Sequence, residues 1–208
     1  MKKTIIIFSP HNDDLEIAMG GTALKYIKEG HNIIKVIFSA GELSNPHLKQ
    51  DYMTKARERQ ALEVEKKFGI TKTIFFRLTD AKLKDEVELV REDIESLLDK
   101  YKPEKIFIPS FRDIHPNHRA VTKIMFDIIK NKNIEAYGYE VWGFIDENLP
   151  KIYVDITPYF KEKMQMIKIF KPTEWLSVYL QYIPIYIRAI RFGRKIKVKY
   201  AERFYRIN

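Results

Sequence analysis

Four times in the first 130 residues, a short run of β-branched and aromatic residues gives way to a polar turn and then to a helical pattern. The runs are 4–8, 32–39, 73–76 and 105–109; the helical segments after them are 15–29, 52–68, 87–100 and 119–130. Runs this short and apolar suit strands buried on both faces, and strand–helix alternation joins parallel strands through right-handed crossovers. The chain is therefore predicted to be α/β, a Rossmann-like three-layer α/β/α arrangement around a mostly parallel sheet. In such sheets ligands gather at the carboxyl ends of the strands. Beyond residue 135 the pattern changes. Residues 136–142 and 151–156 read as strands around an Asp146-Glu147-Asn148 turn, 158–170 as a helix and 196–205 as a strand. No repeat, linker or low-complexity stretch intervenes, which predicts one domain over 1–208.

Two of the turns carry chemistry. The first run ends in Ser9-Pro10-His11-Asn12-Asp13-Asp14, and the fourth in Ser110-Phe111-Arg112-Asp113-Ile114-His115-Pro116-Asn117-His118. On one sheet edge they would bring His11, Asp14 and one of His115 or His118 within coordinating distance. Two imidazoles and a carboxylate with an open fourth position are a catalytic zinc pattern. Adjacent side chains point in different directions, so Asp13 can face a substrate while Asp14 faces a metal. Taken singly, the first turn is a helix cap and the second surface decoration; their repetition at matching edges argues for a site. His31 and His47 fit no pattern and read as surface histidines. Gly20 and Gly21 lie inside a helical pattern, with no G-x-G-x-x-G after the first strand, which speaks against a dinucleotide site. They are expected to let this helix pack closely on the sheet.

At these two stretches the chain resembles the LmbE/PIG-L family of zinc-dependent de-N-acetylases, which act on N-acetylglucosamine-containing substrates. The family's His-Pro-Asp-Asp stands here as His11-Asn12-Asp13-Asp14, with Gly20-Gly21 soon after, and its His-Pro-Asp-His as His115-Pro116-Asn117-His118. Weaker echoes are Arg57, Tyr139-Glu140-Val141-Trp142, Tyr153-Val154-Asp155-Ile156 and Tyr200-Ala201-Glu202. The resemblance implies one zinc ion on His11, Asp14 and His118, with Asp13 as general base and His115 as donor to the oxyanion. It implies a substrate-gripping role for Arg57, against which stands an exposed-face arginine. Asp113 is expected to orient a histidine from the second shell, and Glu16 to be a cap or outer-shell residue. Hydrolysis of another amide or ester, and a non-catalytic basic binding module, are the competing readings; an intact Asp13 and both histidines oppose the latter.

There is no cysteine, so a metal must be held by His, Asp or Glu. The formal net charge of +9 favours an anionic partner, such as a conjugate with an anionic part. No RNA-binding module or zinc finger is visible, so nucleic acid is not expected. No run reaches the roughly 20 apolar residues of a membrane span, and a cytoplasmic location is expected. The aromatic stretch 175–183, broken by Pro184 and followed by Arg188, Arg191, Arg194, Lys195, Lys197 and Lys199, has three readings. It can be a core or homo-oligomer interface helix, a wall of the cleft, or a peripheral contact with anionic membrane.

Overall fold

The computed structural model describes residues 2–142 and 149–207, and the backbone alone within 175–179. In chain order the elements begin with β1 (Thr4–Ser9), α1 (Asp14–Lys28), β2 (Asn32–Ile37), α2 (Gln50–Phe68) and β3 (Lys72–Phe75). A short α3 (Leu83–Glu86), α4 (Arg91–Tyr101), β4 (Lys105–Pro109), α5 (Pro116–Ile129) and β5 (Glu135–Tyr139) follow. The remainder is β6 (Lys151–Asp155), α6 (Phe160–Lys168), α7 (Lys171–Lys195) and β7 (Ala201–Arg206).

The strands form one sheet in the order β3-β2-β1-β4-β5-β7-β6. β1 to β5 are parallel, and β7 runs antiparallel to both β5 and β6. Alternation along β1 sends Ile5 and Ile7 to one core and Ile6 and Phe8 to the other. The first core is closed by α1, α6 and α7, the second by α3, α4 and α5, giving the expected three layers. From β1 the chain proceeds outward through β2 to β3, then returns to place β4 on the other side of β1. That reversal is a topological switch point, and it leaves a crevice between the loops after β1 and β4.

Helix α1 is interrupted at Met19 (φ −142°, ψ 19°). The Gly21 and Thr22 amides donate at 3.0 and 2.7 Å to Glu202 of β7, which also pairs with Lys163 of α6 at 2.6 Å. A Cβ on Gly21 would lie 2.7 Å from Ile156 Cβ, and one on Gly20 would press on Lys163. The glycines thus admit Ile156 and α6 rather than the sheet face.

Several boundaries differ from the sequence reading. Residues 87–90 form a 3-10 turn ahead of α4, a second such turn at 157–159 precedes α6, β5 stops at Tyr139, and the closing strand is 201–206. Pro184 does not end its segment: α7 continues through it to Lys195. Pro184 is on the exposed face, so the carbonyl it leaves unbonded can meet water. The Asp146-Glu147-Asn148 turn lies outside the described residues.

Candidate active site

The crevice is lined by the β1, β2, β3 and β4 loops and holds a cavity of about 310 Å³. Helix α1 starts at Asp14, whose Oδ2 accepts from the His11 amide at 2.8 Å and so closes the turn beneath the imidazole. From the other loop, His115 is the N-cap of α5 with Pro116 in the first helical position, and His118 follows in the first turn. His11 Nδ1, His118 Nε2 and Asp14 Oδ2 converge, separated by 3.3, 3.4 and 3.6 Å. Donors about 2.0–2.1 Å from a tetrahedral ion lie about 3.3–3.4 Å apart, so the triangle is close to the size of a tetrahedral metal site. These three residues form a group capable of holding a metal ion.

Each imidazole is held from behind by a carboxylate. His118 Nδ1 lies 3.0 Å from Asp113 Oδ2, which places Asp113 on His118. The same carboxylate accepts from the His115 and Trp142 amides at 2.9 and 3.3 Å. His11 Nε2 lies 3.1 Å from Oδ1 of Asp80, in the loop after β3. The Asn117 side-chain amide donates to Asp80 Oδ1 at 2.7 Å and to its carbonyl at 3.0 Å, and the Asp80 amide donates to buried Glu42 at 2.8 Å. Such partners fix the ring tautomer and leave the inner nitrogen as a lone pair.

The charges follow. Burial would lower His11, but the Asp80 hydrogen bond and the negative charges of Asp14 and Asp80 raise it overall. Burial pushes the Asp14 carboxyl up against the opposing influence of His118 and His11. A buried carboxylate facing two imidazole lone pairs is what a divalent cation would stabilise. His115 is lowered to about 4, first by burial and then by the neighbouring His11 and His118. Its Nδ1 accepts from the Asn117 amide at 3.2 Å, so the neutral ring carries its proton on Nε2.

Arg57 is not on an exposed face: only 1% of it is accessible. Its Nη2 donates to Asp13 Oδ1 at 3.1 Å, and its Nη1 to Ser44 Oγ at 2.8 Å and in an ion pair with Glu174 at the start of α7. Gly41, at φ +68°, passes over the guanidinium, where a Cβ would sit 3.3 Å from Cζ. Glu16 makes no helix cap; it is buried and paired with Lys35 of β2 at 2.7 Å, and because Lys35 also bonds the Asn12 carbonyl, it stands behind the turn that carries His11. His47 is exposed, and His31 is half-buried, accepting from the Lys3 amide at 3.3 Å. Sequence reading missed Asp80 and Glu174, which belong to no motif. The only signal for Asp80 was its loop, leaving a predicted strand toward the same edge.

The family described as PIG-L, GlcNAc-PI de-N-acetylase, matches residues 6–129, a span that contains both loops. The chain belongs to the PIG-L family. As a member of a family of de-N-acetylases it is a hydrolase of an amide bond. Diacetylchitobiose deacetylase of Thermococcus kodakarensis is 24% identical over 221 residues, 96% of this chain and 81% of that protein. The structure of N,N'-diacetylchitobiose deacetylase from Pyrococcus horikoshii with its inhibitor superposes with a TM-score of 0.83 at 22% identity, covering 99% of this chain and 84% of that one. A 4-carboxy-2-hydroxymuconate hydratase from Pseudomonas putida shares the fold, with TM-score 0.75, 16% identity and coverage of 100% and 97%. Fold alone therefore does not fix the reaction. Both departures from the PIG-L motifs noted above are buried: Asn12 supplies the carbonyl that Lys35 binds, and Asn117 holds Asp80.

Proposed function

We propose that this chain, acting as one domain, removes the acetyl group from an N-acetylglucosamine-type conjugate, giving acetate and a free amine. The observation that carries this reading is the convergence of His11, Asp14 and His118, with Asp13 and His115 lining the same cavity. His11, Asp14 and His118 would hold the metal, which we take to be zinc. Bound there, zinc would supply an acidified water and polarise the acetyl carbonyl. Asp13, held at Oδ1 by Arg57, accepts the proton of the attacking water and passes it to the departing nitrogen. His115, neutral and protonated on Nε2, donates to the oxyanion that develops on the acetyl carbonyl oxygen. Arg57 contributes by fixing Asp13, and its place in the cavity wall allows a sugar hydroxyl to reach it as well.

The cavity wall carries the carboxylates of Asp13, Asp14, Asp80 and Glu174 beside the single guanidinium of Arg57. This suits a neutral sugar rich in hydroxyl donors, so any anionic part of the conjugate lies outside the cavity. Metal analysis combined with acetate release from N-acetylglucosamine and N,N'-diacetylchitobiose tests the proposal. Stoichiometric zinc and release that is lost in Asp13→Asn is the expected result. A zinc-loaded protein that releases acetate from no N-acetylated amino sugar would overturn it.

A further inference from the structure

Among its described side chains, helix α7 carries two apolar faces, one packed and one exposed. Ile185, Ala189 and Phe192 are buried, while Leu180, Ile183, Ile187 and Ile190 form a stripe at helical spacing on the opposite side. Ile183 is 69% exposed and Leu180 63%. Where the stripe ends, the same face continues as exposed Arg191, Arg194 and Lys195. No Asp or Glu occurs between Glu174 and Glu202. Beside the stripe, α6 and α7 enclose a groove of about 450 Å³ with Phe160, Tyr186 and Tyr200 in its wall. The Phe160 and Tyr200 rings stack at 3.9 Å, and Tyr186 meets Phe160 edge-on at 4.8 Å. The charged residues of this groove are Lys161, Lys168 and Lys199, with no carboxylate among them.

We propose that this face docks on an anionic lipid surface. The aliphatic stripe enters the boundary between headgroups and chains, the tyrosines lie at headgroup level, and the lysines and arginines meet lipid phosphates. Scattered exposed apolar residues need no explanation, but a continuous stripe rimmed by one sign of charge does. A second copy of this chain is the poorer occupant, because it would bring a second basic rim against the first. A nucleic acid would satisfy the lysines and leave the aliphatic stripe unused. The face begins two turns beyond Glu174 in the cavity wall, so a substrate held at a membrane would lie near the cleft. The proposal stands independently of the reaction catalysed.

The test is flotation of the intact protein with phosphatidylcholine vesicles, with and without phosphatidylglycerol, at low and high salt. The expected result is recovery with the anionic vesicles alone, diminished by salt. Lys161→Gln, Lys168→Gln and Lys199→Gln together should weaken partition about fivefold per charge removed. Ile183→Ser with Ile187→Ser should weaken it at least about tenfold at unchanged charge, with acetate release from a soluble substrate preserved in both variants. No recovery with anionic vesicles at low salt overturns the proposal. So does recovery that the serine variant leaves intact, which marks a general polyanion patch. A wild-type dimer in sedimentation velocity that the serine variant dissociates, with no vesicle binding, assigns the stripe to a second copy instead.

Discussion

His118 and His11 present opposite nitrogens to the same point, because the carboxylate behind each ring differs in position. Asp113 takes Nδ1 of His118, and Asp80 takes Nε2 of His11. Replacing either carboxylate leaves the ligand atoms in place but frees the ring to turn. Asp80→Ala should therefore weaken zinc affinity about 10–100-fold without abolishing binding, as read by competition with a chromogenic chelator. His118→Ala should lose the metal, whereas Asp13→Asn should keep it and lower kcat about 10²–10⁴-fold. Loss of zinc in Asp13→Asn would show that the two aspartates have exchanged roles. Protons compete with a metal for His11, whose affinity for them Asp80 and Asp14 raise against the opposing effect of burial, so the metal should be held less tightly as pH falls, as read by chelator competition across a pH series. His115 behaves oppositely. Titrating at about 4 folded and near 6.5 unfolded, it contributes stability that is complete above about pH 6.5 and is lost as pH falls toward 4. It stays neutral across the working range, so His115→Ala should lower kcat about 10²–10³-fold while the acid limb of the pH–rate profile stays where it was.

At the scale of elements, the turn after β1 is held by buried charge. Lys35 of β2 ties the carbonyl of Asn12 to Glu16 of α1, with both ionic groups fully enclosed. Lys35→Met leaves Glu16 buried without its partner and should cost about 3–5 kcal/mol in urea unfolding. Adding Glu16→Leu should recover most of that loss, and a double variant no better than the single one would contradict this account. The difference between what could and could not be read from the sequence follows the same lines. His11, Asp14, His115 and His118 were legible because each loop is contiguous and sits between a strand run and a helical pattern. Asp80 and Glu174 were not, since each is a single carboxylate brought in by a separate loop or helix start. Arg57 was found, but its burial was not, because its partners Asp13 and Glu174 lie 44 residues before and 117 after it. The break in α1 at Met19 was equally invisible: the residue that caps its second half comes 180 positions later.

Across the molecule, the alternation of strands and helices predicted the parallel half of the sheet and its carboxyl edge, while the antiparallel end could not be ordered from sequence. Pairing between strands that are not neighbours in the chain depends on contacts that periodicity does not encode. β7 lies inside the sheet, between β5 and β6, and its Glu202 bonds the middle of the helix that opens at Asp14. During synthesis, then, the first-made part of the site waits for a strand that follows the other six described strands in the chain. The earlier strands can pair while the chain is still growing, but β6 has no neighbour to join until residues 201–206 emerge. A nascent chain stalled before Ala201 should hold the β1–β5 block and fail to retain zinc, which capture of stalled chains on a zinc-chelating resin can measure. The enzyme would thus acquire its metal only once β7 has entered the sheet.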